Sequence, residues 1–133
     1  MKADDLMYVR RTYLLFVKNE SLTTTFRPGA RINGAPKSYY SGEIVEIKIL
    51  DKIGAEWAGL DPEFIKGFSR LVRIKKTQQI KLENLVEKDF IGSSPDVRNT
   101  DQLRFHLALI YNLDVRDLND NFVVTRTEFD YIN

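Results

Sequence analysis

The side chains of this sequence best suited to chemistry are cations. Arg70, Arg73, Lys75, Lys76 and Lys81 form its densest basic run. In an extended strand residues 73 and 75 share one face, so two charges can follow a phosphate backbone. The plainer alternative is a solvated face, or an edge strand guarded by its charge. Trp57, between Gly54 and Gly59, is suited to stack on an unpaired base, as are Tyr39 and Tyr40 near Lys37. Loop aromatics also fold back as lids on a core, and that reading stays open. His106, the one histidine, falls in a helical segment with Leu103, Leu107 and Ala108, where it is a helix-surface or satisfied core residue and receives no role. The absence of cysteine excludes a disulfide, a thiol nucleophile and a cysteine-zinc site. A single histidine excludes a histidine-rich metal cluster within one chain. No Walker A, Gly-x-Gly-x-x-Gly or zinc motif occurs, and no cofactor is expected.

At 133 residues and 43% hydrophobic, the chain has material for one domain and one core. No apolar run approaches the roughly 18–20 residues that span a bilayer. The opening MKADDLMYVRR lacks the apolar region of a signal peptide, so a cytoplasmic protein with no membrane association is expected. The net charge of +1 names no partner, but residues 1–81 hold 15 basic against 9 acidic side chains and residues 82–133 hold 5 against 10. Such a split can place a basic face on one side of a compact body, unless the halves interleave and the charges merely solvate the surface.

The elements that must position these residues follow from periodicity. Leu6, Val9, Tyr13, Phe16 and Val17 predict a helix from Asp4 or Asp5 to about Lys18. Thr23–Arg27 reads as a short strand ended by Pro28-Gly29. Glu43–Leu50 alternates Val45, Ile47 and Ile49 with Glu46 and Lys48, a half-buried strand. Residues 51–67 read as irregular, with one helical turn at 62–65, and Phe68–Lys76 as a further strand. Leu82–Phe90 reads as a short helix. Asn99–Asn112 reads as a longer one, with Asn99 and Gln102 as a capping box and a stripe of Leu103, Leu107, Ile110 and Tyr111. A last strand covers about Phe122–Tyr131, with Val123, Thr125, Thr127, Phe129 and Tyr131 on one face. Unequal helical excursions between strands favour a mixed α+β domain, with a barrel among the options.

That order, with particular residues at its joints, resembles the ASCH family. The carrying segments are Ser21–Pro28 (SLTTTFRP), Gly42–Leu50 (GEIVEIKIL), Leu82–Asp89 (LENLVEKD), Ile110-Tyr111 and Phe129–Ile132. The resemblance runs from about Tyr13 to Ile132 and leaves residues 54–67 as an insertion within one ASCH-like domain, 1–133. It implies a PUA-like mixed β-barrel flanked by helices, with a cleft that binds RNA or a nucleotide.

Some small bacterial members are amidohydrolases of acylated nucleosides, using a lysine, a threonine nucleophile and a glutamate. The chemistry is intelligible, since a threonine hydroxyl attacks an acyl carbon only after a base takes its proton. By resemblance Thr25 falls on the threonine position and Arg27 on the arginine two residues beyond. The lysine position is Leu22, which cannot move a proton, and Lys18 is the one substitute at hand. Counting back from Ile110-Tyr111 places Asp96 at the acid position, whereas counting forward from Glu87-Lys88-Asp89 lands at Gly92-Ser93. Threonines also suit a strand for their shape alone. The leading expectation is therefore a binding domain without catalysis. Thr23, Thr25, Arg27, Arg70, Arg73, Lys75 and Trp57 line its RNA or nucleotide site. The alternatives are a threonine amidohydrolase using Thr25 and Asp96, and a protein-interaction module.

Overall fold

β3 (Ile44–Leu50) is the strand its alternation demands, with Val45, Ile47 and Ile49 fully buried. It stands second in a five-stranded sheet, in a computed structural model that describes residues 6–29, 39–52 and 58–132. The other strands are β1 (Leu6–Arg10), β2 (Thr24–Pro28), β4 (Phe64–Lys81) and β5 (Val123–Tyr131), in the spatial order β1-β3-β4-β5-β2. β1 runs parallel to β3 and every other pairing is antiparallel. The sheet curls into a half-barrel, accompanied by the helices α1 (Leu14–Lys18) and α2 (Thr100–Tyr111).

The first expected helix is mostly something else. Leu6–Arg10 is a strand, Arg11–Tyr13 a 3-10 turn, and only Leu14–Lys18 is α-helical. Met7 and Val9 are both buried, so the segment satisfies a two-residue period as well as a helical one. The free edge of β3 decides between them, because pairing there satisfies the backbone of both strands. β4 is also longer than its alternation suggests. It starts at Phe64, where a helical turn was expected, and continues to Lys81. A bulge between Ile74 and Lys76 inserts Lys75 as an extra residue.

The Leu82–Phe90 segment forms two 3-10 turns, Leu82–Asn84 and Glu87–Phe90, in place of one helix. Asp89 Oδ2 accepts the Val86 amide at 2.9 Å, which restarts the chain there. α2 matches its expected span. Asn99 Oδ1 accepts the Gln102 amide at 2.9 Å, while Gln102 Oε1 accepts from the Arg98 amide at 2.7 Å, one residue before the reciprocal capping position. Asn112, in the left-handed region at φ 53°, closes the helix.

Two apolar cores lie on opposite faces of the sheet. The first contains Met7, Val17, Val45, Ile47, Val72, Ile74 and Phe129. The second contains Phe26, Phe90, Val97, Leu103, Leu107, Leu118 and Val124. β5 serves both, since Val124 and Phe129 are an odd number of residues apart and so point to opposite faces. Among the described residues no helix is long and apolar enough to cross a membrane.

Candidate functional site

Alternation along β2 sorts its side chains. Thr24 and Phe26 turn to the second core, where Thr24 Oγ1 donates to the Ile91 carbonyl at 2.9 Å. Thr25 and Arg27 therefore point to the other face. In register, Thr25 stands beside Thr127 and that beside Thr77, while Arg27 stands beside Thr125 and that beside Gln79. Phe129, two residues from Thr127, belongs to the first core. This wall of hydroxyls, amide and guanidinium thus continues the first core into polar territory. Thr125 Oγ1 donates to the Gly29 carbonyl at 2.8 Å. Thr77 Oγ1 is buried with no hydrogen-bond partner among the described residues.

Beside this wall a second set of groups converges from three distant segments. The buried Tyr13 hydroxyl lies 2.8 and 2.7 Å from the two carboxylate oxygens of Asp96 and 3.2 Å from His106 Nδ1. The Tyr13 and His106 rings stack with centroids 6.0 Å apart and 26° between planes. Arg10 Nη1 stands 3.4 Å from the same hydroxyl, with its guanidinium 5.4 Å from the Tyr13 ring centre. Arg27 Nη1 donates to the Tyr111 hydroxyl at 3.0 Å, at the far end of the helix that carries His106.

Local chain geometry holds these groups in place. The Gly92 carbonyl accepts the amides of Thr23 and Thr24 at 2.8 and 3.1 Å, which ties the loop carrying Asp96 to β2. Gly92 sits at φ +83°, and a Cβ there would lie 2.1 Å from Thr23 Oγ1. Only glycine meets both conditions without strain. Farther along the loop, Ser93 Oγ reaches the Phe90 and Val97 carbonyls at 2.6 and 2.5 Å.

The electrostatics follow from burial and these contacts. Burial drives the His106 pKa down to about 4; the Asp96 carboxylate opposes the shift, while Arg10 and Arg27 add to it. His106 is therefore neutral at physiological pH. Partial burial acts to raise the Asp96 pKa, but hydrogen bonds from Tyr13 and Ser94 outweigh it and hold the carboxyl below its usual value. Burial, then the neighbouring Asp96, pushes the Tyr13 hydroxyl up, so it remains a donor. Among the described residues no three His, Asp or Glu side chains stand close enough together to hold a metal ion.

No protein-family model and no curated protein matches the chain. Solved structures do. The ASCH domain from Lactobacillus crispatus JV V101 aligns over 87% of this chain and 67% of its own, at a TM-score of 0.51 and 6% identity. The fold is ASCH-like. Protein EF3133 from Enterococcus faecalis V583, of family DUF984, aligns over 89% of this chain and 68% of its own at TM-score 0.54 and 13% identity. Hypothetical protein PH0355 aligns over 96% and 97% at TM-score 0.55 and 13% identity.

Within this ASCH-like half-barrel, the residues singled out by sequence do not form one group. Thr25 and Arg27 share the polar wall, and Asp96 joins the neighbouring cluster. Thr23 lies against Gly92 at the loop anchor. Arg70 pairs in register with Ile47, with its guanidinium 5.1 Å from the Phe68 ring centre. Arg73 points to the opposite face from Val72 and Ile74, exposed, with Nη1 3.3 Å from the Gly42 carbonyl. Lys75 is the exposed extra residue of the bulge, and it is Lys76, in register with Glu128, that takes the face of Arg73, in register with Asp130. Arg73 is six residues along β4 from Gln79, the position in line with Arg27, a span of about 20 Å. Trp57 and Lys37 lie outside the described residues; Tyr39 is buried and Tyr40 exposed. Leu22 is a core residue, and among the described residues nothing hydrogen-bonds to the Thr25 hydroxyl.

Sequence reasoning missed Arg10, Tyr13, His106 and Tyr111. The one available signal was spacing: His106 falls between Leu103 and Leu107 on the buried side of α2, three residues after the first.

Proposed function

We propose that the chain is a member of the ASCH family whose cleft, between β2 and the Tyr13–Asp96–His106 cluster, binds a nucleotide or a short stretch of RNA. The observation that supports it is the juxtaposition of Arg27, hydrogen-bonded to Tyr111 on a wall of threonine hydroxyls, with the hydrogen-bonded cluster of Tyr13, Asp96 and His106. A guanidinium suits phosphate, hydroxyls and carboxylates suit sugar and base edges, and aromatic faces suit bases. Among the described residues few cations gather here. Arg11, next to Arg10, is paired with Asp51 at 2.8 Å. A ligand of one or a few nucleotides therefore fits better than a long strand tracked by many phosphates.

Calorimetric titration with ribonucleoside 5′-monophosphates and a short single-stranded RNA tests the reading. Saturable binding is expected, and for the RNA it should weaken with salt at a logarithmic slope of about −1.4 for two phosphate contacts. Absence of binding by every probe would remove the reading. The hydrolytic alternative, with Thr25 as nucleophile, needs a base beside that hydroxyl, and the buried Leu22 occupies the place where the resemblance puts one.

A further inference from the structure

The Tyr13 hydroxyl has one proton and two lone pairs, and four groups approach it: Asp96, Ser94, Arg10 and His106. The two short contacts, at 2.7 and 2.8 Å, go to the anionic Asp96, which can only accept. The proton is therefore committed to Asp96, and Arg10, which can only donate, faces the oxygen at 3.4 Å. The Ser94 hydroxyl also hydrogen-bonds to it, and His106 Nδ1, at 3.2 Å from an oxygen whose proton is committed elsewhere, is favourable only if it donates. An imidazole with its proton on Nδ1 carries a lone pair on Nε2. No hydrogen bond reaches Nε2 from any described residue, and His106 is half-buried beside the polar wall.

We propose that Tyr13 and Asp96 hold His106 as the Nδ1–H tautomer, so that Nε2 accepts a hydrogen bond from a hydroxyl or amino group of the bound ribonucleotide. The inference rests on the nucleotide-binding reading and assigns His106 as a specificity residue for it, with Tyr13 and Asp96 as its positioning residues. The groups that face the ring are Tyr13, Asp96, Arg10 and Arg27, and burial keeps the imidazole neutral among them. A neutral acceptor selects a ligand donor without attracting cations, while Arg27 supplies the complementary charge for a phosphate. The donor is either a ribose hydroxyl or an exocyclic base amine, which are chemically equivalent toward Nε2.

Because His106 is the chain's one histidine, its imidazole nitrogens are unambiguous in a long-range proton–nitrogen correlation spectrum of the intact labelled protein. Nδ1 is expected to read as protonated and Nε2 as bare from pH 8 to below pH 5, and Tyr13→Phe should mix the two tautomers. The opposite tautomer in the wild-type protein overturns the proposal. On saturation with the four ribonucleoside 5′-monophosphates in turn, the Nε2 signal should move for the monophosphate that binds best. His106→Gln, whose amide oxygen can replace Nε2, should bind within about threefold of wild type, and His106→Phe should lose about three- to tenfold. If His106→Phe does not fold, the shift of Nε2 and the retained binding of His106→Gln decide alone. A 2′-deoxy probe that neither shifts Nε2 nor senses His106→Phe marks the 2′-hydroxyl as donor, and one that does both marks the base. Saturable binding with an unmoved Nε2 signal overturns the inference while leaving the parent reading intact. Absence of binding by all probes overturns both, and the tautomer of the free protein is then a separate structural fact.

Discussion

Two regions of this molecule carry most of the polar chemistry, and they are built in opposite ways. The basic residues of β4 are neighbours in sequence but are divided between the two faces of the sheet. Arg70 turns toward the face of Ile47, while Arg73 and Lys76 turn toward the other, beside Asp130 and Glu128. The cluster around Tyr13 is drawn from residues 83 and 93 positions away, yet closes to hydrogen-bonding distance. A strand distributes consecutive charges over two surfaces and about 3.3 Å per residue. A half-barrel collects at its seam whatever its loops and helices bring there. Proximity along the chain is thus a poor guide to a shared site, and the difference between the two regions is open to direct attack.

The largest expected effect is the response to acid. His106 titrates near pH 4 in the folded protein against an ordinary 6.5. Between those values the unfolded chain binds a proton that the folded one refuses, so stability is complete above pH 6.5 and falls as pH drops toward 4. Asp96, held below its ordinary value, adds stability that is present above pH 3.8 and lost as pH falls further. The loss due to His106 at pH 4.5 is on the order of 2 kcal/mol. Urea unfolding at pH 7 and 4.5 should show it, and His106→Gln should remove most of it. An unchanged pH difference in that variant would place the titrating group elsewhere.

Next comes the loop anchor. Gly92→Ala combines positive φ with a clash at Thr23 and should cost about 2 kcal/mol. Gly42→Ala, at φ +88° with nothing within 4 Å of the added carbon, isolates the backbone part. Adding Thr23→Ala to Gly92→Ala should recover the difference, and a failure to do so would mean that the clash is relieved by rotation of Thr23. Smaller again, Arg27→Ala should weaken nucleotide binding about tenfold through loss of a charge-assisted contact. The smallest effect is assigned to the basic run: Arg73→Ala and Lys75→Ala should each change that binding less than twofold. Equal losses from Arg27 and Arg73 would erase the contrast between the regions.

How much was legible in the sequence divides along the same line. β3, β5 and α2 follow from local periodicity and caps, and they occur where their residues predict. β1 was hidden because five residues satisfy two periods at once and only the free edge of β3 selects one. The bulge was hidden because Lys75 and Lys76 are both exposed, so no apolar residue marks the change of parity. Thr25 and Arg27 share their strand face by alternation alone. Asp96 became a candidate only through the ASCH resemblance, and Tyr13 and His106 became partners only through the fold. Tyr13 looked like part of an apolar stripe and does belong to a core, while His106 looked like a helix-surface or satisfied core residue.

β2, which carries Thr25 and Arg27, has a single neighbour in the sheet, and that neighbour is β5. The pairing joins Thr25 to Thr127, closing a loop of about a hundred residues at an entropic cost that grows only slowly with length but delays contact formation. The antiparallel β3–β4 ribbon needs no such closure and can form early. During refolding, therefore, protection of β3 and β4 amides should precede protection of β2, and capacity to hold a ligand should emerge in the slower phase. A ligand that spans Arg27 and the Tyr13 cluster would clamp this last-formed seam, acting as a kinetic latch that slows unfolding more than it speeds folding.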